Sequence, residues 1–150
     1  METAQTQTTE PMPHNPVARA FVDALRQAET SGDLASLVGQ FAPEAELLRL
    51  NGEPYRGVEG ARAFWQEYLA HFGVIGSRFN HVTEGENATV LEWVSEGTLA
   101  DGQPLRYRGV SVLEAEGDKI ARFRTYYDSA VFTPFGTKNT PTEGEPPSAG

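Results

Sequence analysis

Four strand-like runs follow one another in the second half of the chain, and their spacing limits the possible folds more than any other feature. The runs are VIGSRFNHVTEG, ATVLEWVSEGTL, PLRYRGVSVLEAE and KIARFRTYYDSAVF, and they are separated only by GEN, ADGQ and GD. Asp101-Gly102 and Gly117-Asp118 are typical of hairpin turns. Connections this short make neighbouring strands antiparallel. The sequence therefore predicts a four-stranded antiparallel meander.

The first half of the chain has the apolar spacing of helices. Asn15 is a good N-cap, Pro16 suits the first helical position, and Gly32 ends this first helix. Asp33 begins a shorter second helix, which is predicted to end at Ala42-Pro43. A short strand, AELLRL, a loop, NGEPYRG, and a third helix over about 58–72 follow. Three helices covering one face of a twisted sheet predict a cone with an open mouth.

Composition sets the domain limits and excludes several classes of function. Residues 1–14 and 133–150 are polar and poor in core residues, so both are predicted to be disordered tails around one domain at 15–132. The net charge is −9, with 12 basic and 21 acidic residues. This balance argues against nucleic acid and anionic membranes as partners. Without a long apolar run or a secretory signal, a cytoplasmic location is expected.

Few residues suggest a metal or a cofactor. The chain has no cysteine, which excludes disulfides and thiolate metal sites. His14, His71 and His81 are scattered and lack the HExxH spacing of a zinc site. No glycine-rich phosphate loop follows a strand. The sequence therefore predicts neither a bound metal nor a cofactor.

The order of elements resembles the nuclear transport factor 2-like superfamily, specifically its SnoaL-like branch. The resemblance is carried by ETSGDLASLVGQF, YRGVEGARAFW and LRYRGVSVLEAEGDKIARFRTYYD, and it covers roughly residues 16–132. It implies an α+β fold: a cone-shaped barrel of a strongly curved antiparallel sheet packed on three N-terminal helices, the cystatin-like α+β roll. This fold hosts isomerases, cyclases, epoxide hydrolases, dehydratases, binders and dimerisation modules. Function therefore has to be argued from the site.

The resemblance selects one of two possible strand registers for the inside of the cone. Alternate residues of a strand face the same side, so a slip of one residue exchanges the two sets. The implied inward residues, strand by strand, are Leu47 and Arg49; Val74, Gly76 and Arg78; Glu92, Val94, Glu96 and Thr98; Leu105, Tyr107, Gly109, Ser111 and Leu113; and Phe123, Thr125 and Tyr127, with Trp65 and Leu69 from the third helix. The opposite register turns Trp93, Arg106, Arg108, Val110 and Val112 inward instead.

Two well-understood reaction types of similar proteins do not match the residues here. The positions used by ketosteroid isomerase-like proteins read Arg49, Leu25 and Ser111, which supply neither the base nor the acids. The positions used by limonene-epoxide hydrolase-like proteins read Glu92, Val94 and Thr125, which lack the arginine and both aspartates. Neither chemistry is expected in its known form.

The resemblance also implies a third type of reaction, the acid/base chemistry of SnoaL-like polyketide cyclases, which can be assigned to other residues. A glutamate whose pKa is raised by burial could remove a carbon-bound proton, and an arginine could stabilise the enolate. The predicted catalytic residues are Glu92, Glu96 and Arg78. The predicted ligand contacts are Arg49, Trp65, Val94, Tyr107, Ser111, Phe123, Thr125 and Tyr127. An internal network of arginine–glutamate pairs is the structural alternative, and a non-catalytic ligand binder or interaction module is the functional one.

The outer face of the predicted sheet combines apolar and charged side chains. Trp93, Val110, Val112 and Tyr126 lie on it in the favoured register, with several arginines between them. Asp128 also points away from the cavity in this register. An apolar sheet face with interleaved charge is typical of a protein interface. The predicted partners are therefore a small-molecule ligand and a second copy of the chain.

Overall fold

The computed structural model describes residues 10–50 and 52–132. In chain order its elements are α1 (Pro16–Ser31), α2 (Ala35–Val38), β1 (Phe41–Arg49), β2 (Tyr55–Arg56), α3 (Gly57–Leu69), β3 (Phe72–Glu84), β4 (Ala88–Leu99), β5 (Pro104–Glu116), β6 (Lys119–Tyr127) and a 3-10 turn at Ser129–Phe132. The predicted tails at 1–9 and 133–150 lie outside the described residues. No helix within the described residues is long and apolar enough to cross a membrane.

The N-terminal helix has the ends that its sequence predicts. The side chain of Asn15 accepts hydrogen bonds from the backbone N–H groups of Val17 and Ala18, which have no partner inside the helix. Gly32 adopts a left-handed conformation at φ 80°, and its N–H bonds to the carbonyl of Ala28. Residues 10–14, which were assigned to the tail, pack on the sheet: Pro13 is buried.

The predicted second helix is wrong at its C-terminal end. The helix has only four residues, and Phe41 already belongs to β1, where it pairs with Ile120 of β6. Pro43 does not stop a helix but lies inside β1. Proline is tolerated there because the pairing with β6 is interrupted between Phe41 and Glu46.

The sheet is mixed and open, in the order β2-β1-β6-β5-β4-β3. The four-stranded meander β3–β6 is antiparallel, as predicted. However, β1 runs parallel to β6, and the short β2 pairs with β1 in what the sequence suggested was a loop. The predicted α+β roll on a curved sheet is confirmed; the sheet differs from the prediction in being mixed rather than wholly antiparallel, and it does not close into a barrel. β2, α3 and β3–β5 separate β1 from β6 in the chain, and this long connection allows the parallel pair, since only short turns force antiparallel neighbours.

The pairing of β4 with β5 decides which residues face the helices. Trp93 lies opposite Gly109 and Ser95 opposite Tyr107, so odd-numbered residues of the two strands share a face. The predicted inward set combined odd-numbered residues of β5 with even-numbered residues of β4, and this hairpin cannot place both on one side. The prediction is correct for β1, β5 and β6 and wrong for β3 and β4.

The core lies between α1, α3 and the inner face of the sheet. Phe123 of β6 is 1% exposed and stands at its centre. Its ring centroid lies 5.3 Å from that of Phe21 on α1 and 5.4 Å from that of Trp65 on α3. Burial of these large rings is the main force that holds the helices against the sheet.

Candidate functional site

An interior cavity of about 30 Å³ lies beside this aromatic core. Seven aromatic side chains and several small polar ones line it. Its lining residues are Phe21, Leu25, Glu29, Phe64, Trp65, Tyr68, Ser77, Phe79, Trp93, Ser95, Ser111, Phe123 and Thr125. A cavity of this size holds about one or two water molecules, so a larger ligand has to use adjoining space.

Glu29 is the carboxylate of this cavity, and it comes from the last part of α1. Its carboxylate oxygens accept hydrogen bonds from the backbone N–H of Ser77 at 3.2 Å and from the Ser77 hydroxyl at 2.6 Å. The Ser77 hydroxyl also lies 2.6 Å from that of Ser95 on β4. Burial raises the pKa of Glu29, although the Ser77 bonds and the charge of Arg26 oppose that rise. A carboxyl with a raised pKa is suited to proton transfer near neutral pH.

Two tryptophan N–H groups at the cavity differ in their bonding. Trp93 Nε1 donates to the Ser111 hydroxyl at 2.9 Å, and Ser111 in turn lies 2.9 Å from the Thr125 hydroxyl. Trp65 is 4% exposed, and its Nε1–H is buried without a hydrogen-bond partner. A buried donor without a partner costs about 1–3 kcal/mol, so it is a candidate contact for a bound acceptor.

A second, larger space adjoins the cavity. This cleft of about 540 Å³ lies between the C-terminal end of α1, the end of α3 and the start of β3. Leu34, Leu69, Phe72 and Ile75 supply its apolar wall, and Glu29 lines both the cleft and the cavity. The cleft has the volume of an ordinary small-molecule site, and Glu29 stands where the two spaces meet.

Three tyrosines form a cluster on the inner face, and one of them, Tyr68, also lines the cavity. The hydroxyls of Tyr68 and Tyr107 are hydrogen-bonded to each other, and Tyr127 packs on both rings. Burial raises the pKa values of all three phenols above their ordinary value. They therefore remain protonated at neutral pH and can donate hydrogen bonds but cannot act as bases. Phe132 of the 3-10 turn covers this cluster.

Several predicted ligand contacts lie at or near the cavity. Trp65, Ser111, Phe123 and Thr125 line it. Tyr107 is buried on the same inner face, where its hydroxyl bonds to that of Tyr68, which also lines the cavity.

Arg49 and Tyr127 line a separate pocket of about 90 Å³ near the end of β1. There the Arg49 guanidinium donates to the Tyr55 hydroxyl at 3.2 Å and lies 4.5 Å from the ring centroid of Phe64. This arginine is therefore held by its own neighbours rather than aimed into the cavity.

The predicted catalytic residues do not reach the cavity. Glu92, Glu96 and Arg78 are exposed on the outer face of the sheet, and Glu96 pairs there with Arg106 at 2.9 Å. Val94 is buried, but it alternates with these glutamates and does not line the cavity. The inward orientation predicted for all four is wrong, because the β4–β5 hairpin pairs even-numbered residues with even-numbered ones and Arg78 of β3 lies opposite Val94. Neither Glu92 nor Glu96 is therefore a buried base.

The same pairing moves Trp93 from the outer to the inner face. Its ring occupies the space that a side chain at the opposite residue would need: a Cβ at Gly109 would come within 2.3 Å of the Trp93 ring. A glycine directly opposite a tryptophan is a sequence pattern that could have fixed this register.

Sequence reasoning missed Glu29, Ser77 and Ser95. Glu29 follows Phe21 and Leu25 at intervals of four residues, so it continues the apolar stripe of α1. An acidic residue on a buried helical stripe is the pattern that would have identified it. Ser77 and Ser95 were missed because their strands were given the opposite facing. Among residues 10–50 and 52–132, no three histidine, aspartate or glutamate side chains are grouped as metal ligands.

Comparisons with known proteins agree with this architecture. The SnoaL-like domain family matches residues 18–123. An NTF2-like protein from Anabaena variabilis is 24% identical, with a TM-score of 0.69, and the match covers 80% of this chain and 96% of that one. A cystatin-fold protein from Novosphingobium aromaticivorans is 21% identical, with a TM-score of 0.58, over 70% of this chain and 93% of that one.

A third similar structure contains a small organic molecule. It is a protein with a ketosteroid isomerase-like fold from Catenulispora acidiphila, in complex with trimethylamine. It is 17% identical, with a TM-score of 0.68, and the match covers 81% of this chain and 91% of that one. No curated protein sequence matches the chain significantly. At these identities the similar structures establish the fold alone.

Proposed function

Because the chain belongs to the SnoaL-like domain family of the NTF2-like superfamily, we propose that it binds a small, partly apolar molecule where the cleft meets the interior cavity, with Glu29 as the acid/base group. The observation that carries this proposal is the position of Glu29. It is the only carboxylate among the described residues that line the cavity, and it also reaches the cleft.

The chemistry that fits this arrangement is proton transfer of the isomerase, cyclase or hydrolase kind. Ionised Glu29 would take a proton from carbon or from water, and its raised pKa makes it a stronger base than an exposed glutamate. The free Trp65 N–H would donate to an oxygen on which negative charge develops. The aromatic lining would exclude water and so strengthen both interactions.

Uptake of small organic molecules has a precedent among the similar structures. The Catenulispora acidiphila protein is in complex with trimethylamine. That precedent supports ligand binding by this fold and leaves the ligand of the present chain to experiment.

Indole resonances offer a direct test of binding. The described chain contains two tryptophans, and only Trp65 has an unpartnered N–H. In ¹H–¹⁵N NMR spectra, titration with a panel of small cyclic ketones should shift the Trp65 indole peak and leave that of Trp93 nearly in place. Trp65→Phe assigns the peak. A panel that moves neither indole peak at millimolar concentration would count against a ligand site here.

Deuterium exchange separates catalysis from binding. If Glu29 removes a carbon-bound proton, a bound ketone should exchange its α-hydrogens in D₂O faster with the wild type than with Glu29→Gln. Glu96→Gln is the matched control, because that glutamate is exposed on the outer face. Binding without exchange would favour the non-catalytic alternative, a ligand-binding module.

A second copy of the chain is proposed to pack on the outer sheet face. Tyr126 is 39% exposed there, beside the half-buried Val110 and Val112. Trp93, predicted from the sequence to lie on this surface, faces the core instead. Tyr126→Glu should yield monomers in sedimentation velocity, and Leu50→Glu, a change at an exposed leucine at the end of β1, should not. Monomeric wild-type protein at high concentration would refute the dimer.

A further inference from the structure

The described walls of the ligand site around Glu29 carry negative charge and no positive charge. Among the described residues, the walls of the cleft and of the cavity contain no lysine, arginine or histidine, and Glu29 is their one acidic side chain. Arg26 acts on Glu29 through its charge, but its guanidinium is paired with the Glu10 carboxylate. The carboxylate of Glu29 therefore faces a space that offers it no positive partner.

The backbone at the end of α1 adds to the negative charge of the Glu29 carboxylate. Glu29 lies two residues before the end of α1, and the C-terminal end of a helix carries a partial negative charge. The same end of α1, through Ser31 and Gly32, forms one wall of the cleft. A positive group that enters the cleft would meet both the carboxylate and the helix end.

The aromatic lining is suited to the same kind of ligand. Phe21, Trp65 and Phe79 line the cavity together with Glu29, and Phe72 lines the cleft. The face of an aromatic ring attracts alkylated ammonium groups, and tryptophan does so most strongly. The cavity of about 30 Å³ has room for one methyl-sized group among these rings, so one alkyl group would enter it while the rest of the cation lies in the cleft beside the carboxylate.

From these observations we propose that the ligand of this site is a small alkylated amine, bound as its cation against Glu29 where the cleft meets the cavity. This inference rests on the proposed ligand site and adds the chemical class of the ligand. The bound cation also favours the ionised form of Glu29, which is the form that a general base requires. The Trp65 N–H remains available for an oxygen of the same ligand or for a water molecule.

Trimethylammonium and tert-butanol form a matched pair of test compounds, since both carry three methyl groups and one hydrogen-bond donor and differ in charge. Binding of trimethylammonium chloride and of tert-butanol would be measured at neutral pH by ligand-observed NMR and isothermal titration calorimetry. The wild type should bind the cation at least about tenfold more tightly, which corresponds to about 1.4 kcal/mol. Tetramethylammonium should bind similarly.

Glu29→Gln keeps the shape of the side chain and removes its charge. It should weaken trimethylammonium binding to the level of tert-butanol and leave tert-butanol binding unchanged, whereas Glu96→Gln should alter neither. If Glu29→Gln folds poorly, the wild type alone still tests the proposal. Bound trimethylammonium should lower the pKa of the Glu29 carboxyl, which NMR measures.

The outcomes separate this inference from the function on which it rests. Equal affinity for both compounds, or a Glu29→Gln variant that binds the cation as the wild type does, would overturn the amine proposal and leave a site for neutral ligands. If neither these compounds nor the ketone panel binds, the ligand site itself is refuted.

Discussion

Replacing Phe123 is the most stringent test of which side of the sheet faces the core, because this ring lies at the centre of the core. Phe123 is 1% exposed, and its neighbours Phe21, Phe64 and Trp65 come from two helices. Truncation of a buried phenylalanine to alanine costs about 3–5 kcal/mol, depending on how far the neighbours collapse into the space. Rings held on separate elements cannot all move inward, so we expect about 4–5 kcal/mol for Phe123→Ala.

The assay is urea unfolding followed by tryptophan fluorescence at neutral pH. The midpoint should fall strongly for Phe123→Ala while the slope of the transition stays that of the wild type. Arg122→Ala is the matched control, since Arg122 is the preceding residue of β6 and lies exposed on the outer face, paired with Glu114. Its midpoint should stay close to that of the wild type, because an exposed ion pair contributes little to stability. Similar losses for the two variants would refute the assignment of faces on β6.

Two further predictions concern the candidate site and the strand register. Because burial raises the pKa of Glu29 above its ordinary 4.5, its contribution to stability is complete below pH 4.5 and is lost as the pH rises through the folded-state pKa. Urea titrations should therefore show the wild type losing stability relative to Glu29→Gln from pH 4 to pH 8, and parallel curves would contradict this. Gly109→Ala should cost about 1–3 kcal/mol, because its Cβ would lie 2.3 Å from the Trp93 ring. Gly76→Ala, where a Cβ meets nothing within 4 Å, should be nearly neutral by thermal unfolding, and equal losses would refute this register.

The architecture could be predicted because its determinants are local in the sequence. Asn15 and Gly32 fix the ends of α1 through hydrogen bonds to their own neighbours. Short turns around Gly102 and Gly117, both at positive φ, fix the order of the last three strands. The parallel pairing of β1 with β6 could not be predicted in this way, because it joins segments far apart in the chain.

The candidate site was only partly predictable. β5 and β6 were given the correct facing, so Ser111 and Thr125 were placed at the cavity correctly. The outer face of β4 carries the apolar Val94 between two glutamates. Polarity alone therefore does not reveal which face of the strand is buried. The pairing of β4 with β5 fixes the register of β4. In this register Glu92 points outward, and Glu29 is the carboxylate that lines the cavity.

The pKa of Glu29 tests the central claim most directly. Side-chain carboxyl ¹³C shifts, followed by NMR from pH 3 to pH 9 and assigned with Glu29→Gln, would measure it in the ligand-free protein. The partly buried position beside Ser77 predicts a pKa above the ordinary value of 4.5. A measured pKa at or below 4.5 would mean that the carboxylate is solvated like a surface group, and the acid/base site proposed here would be contradicted.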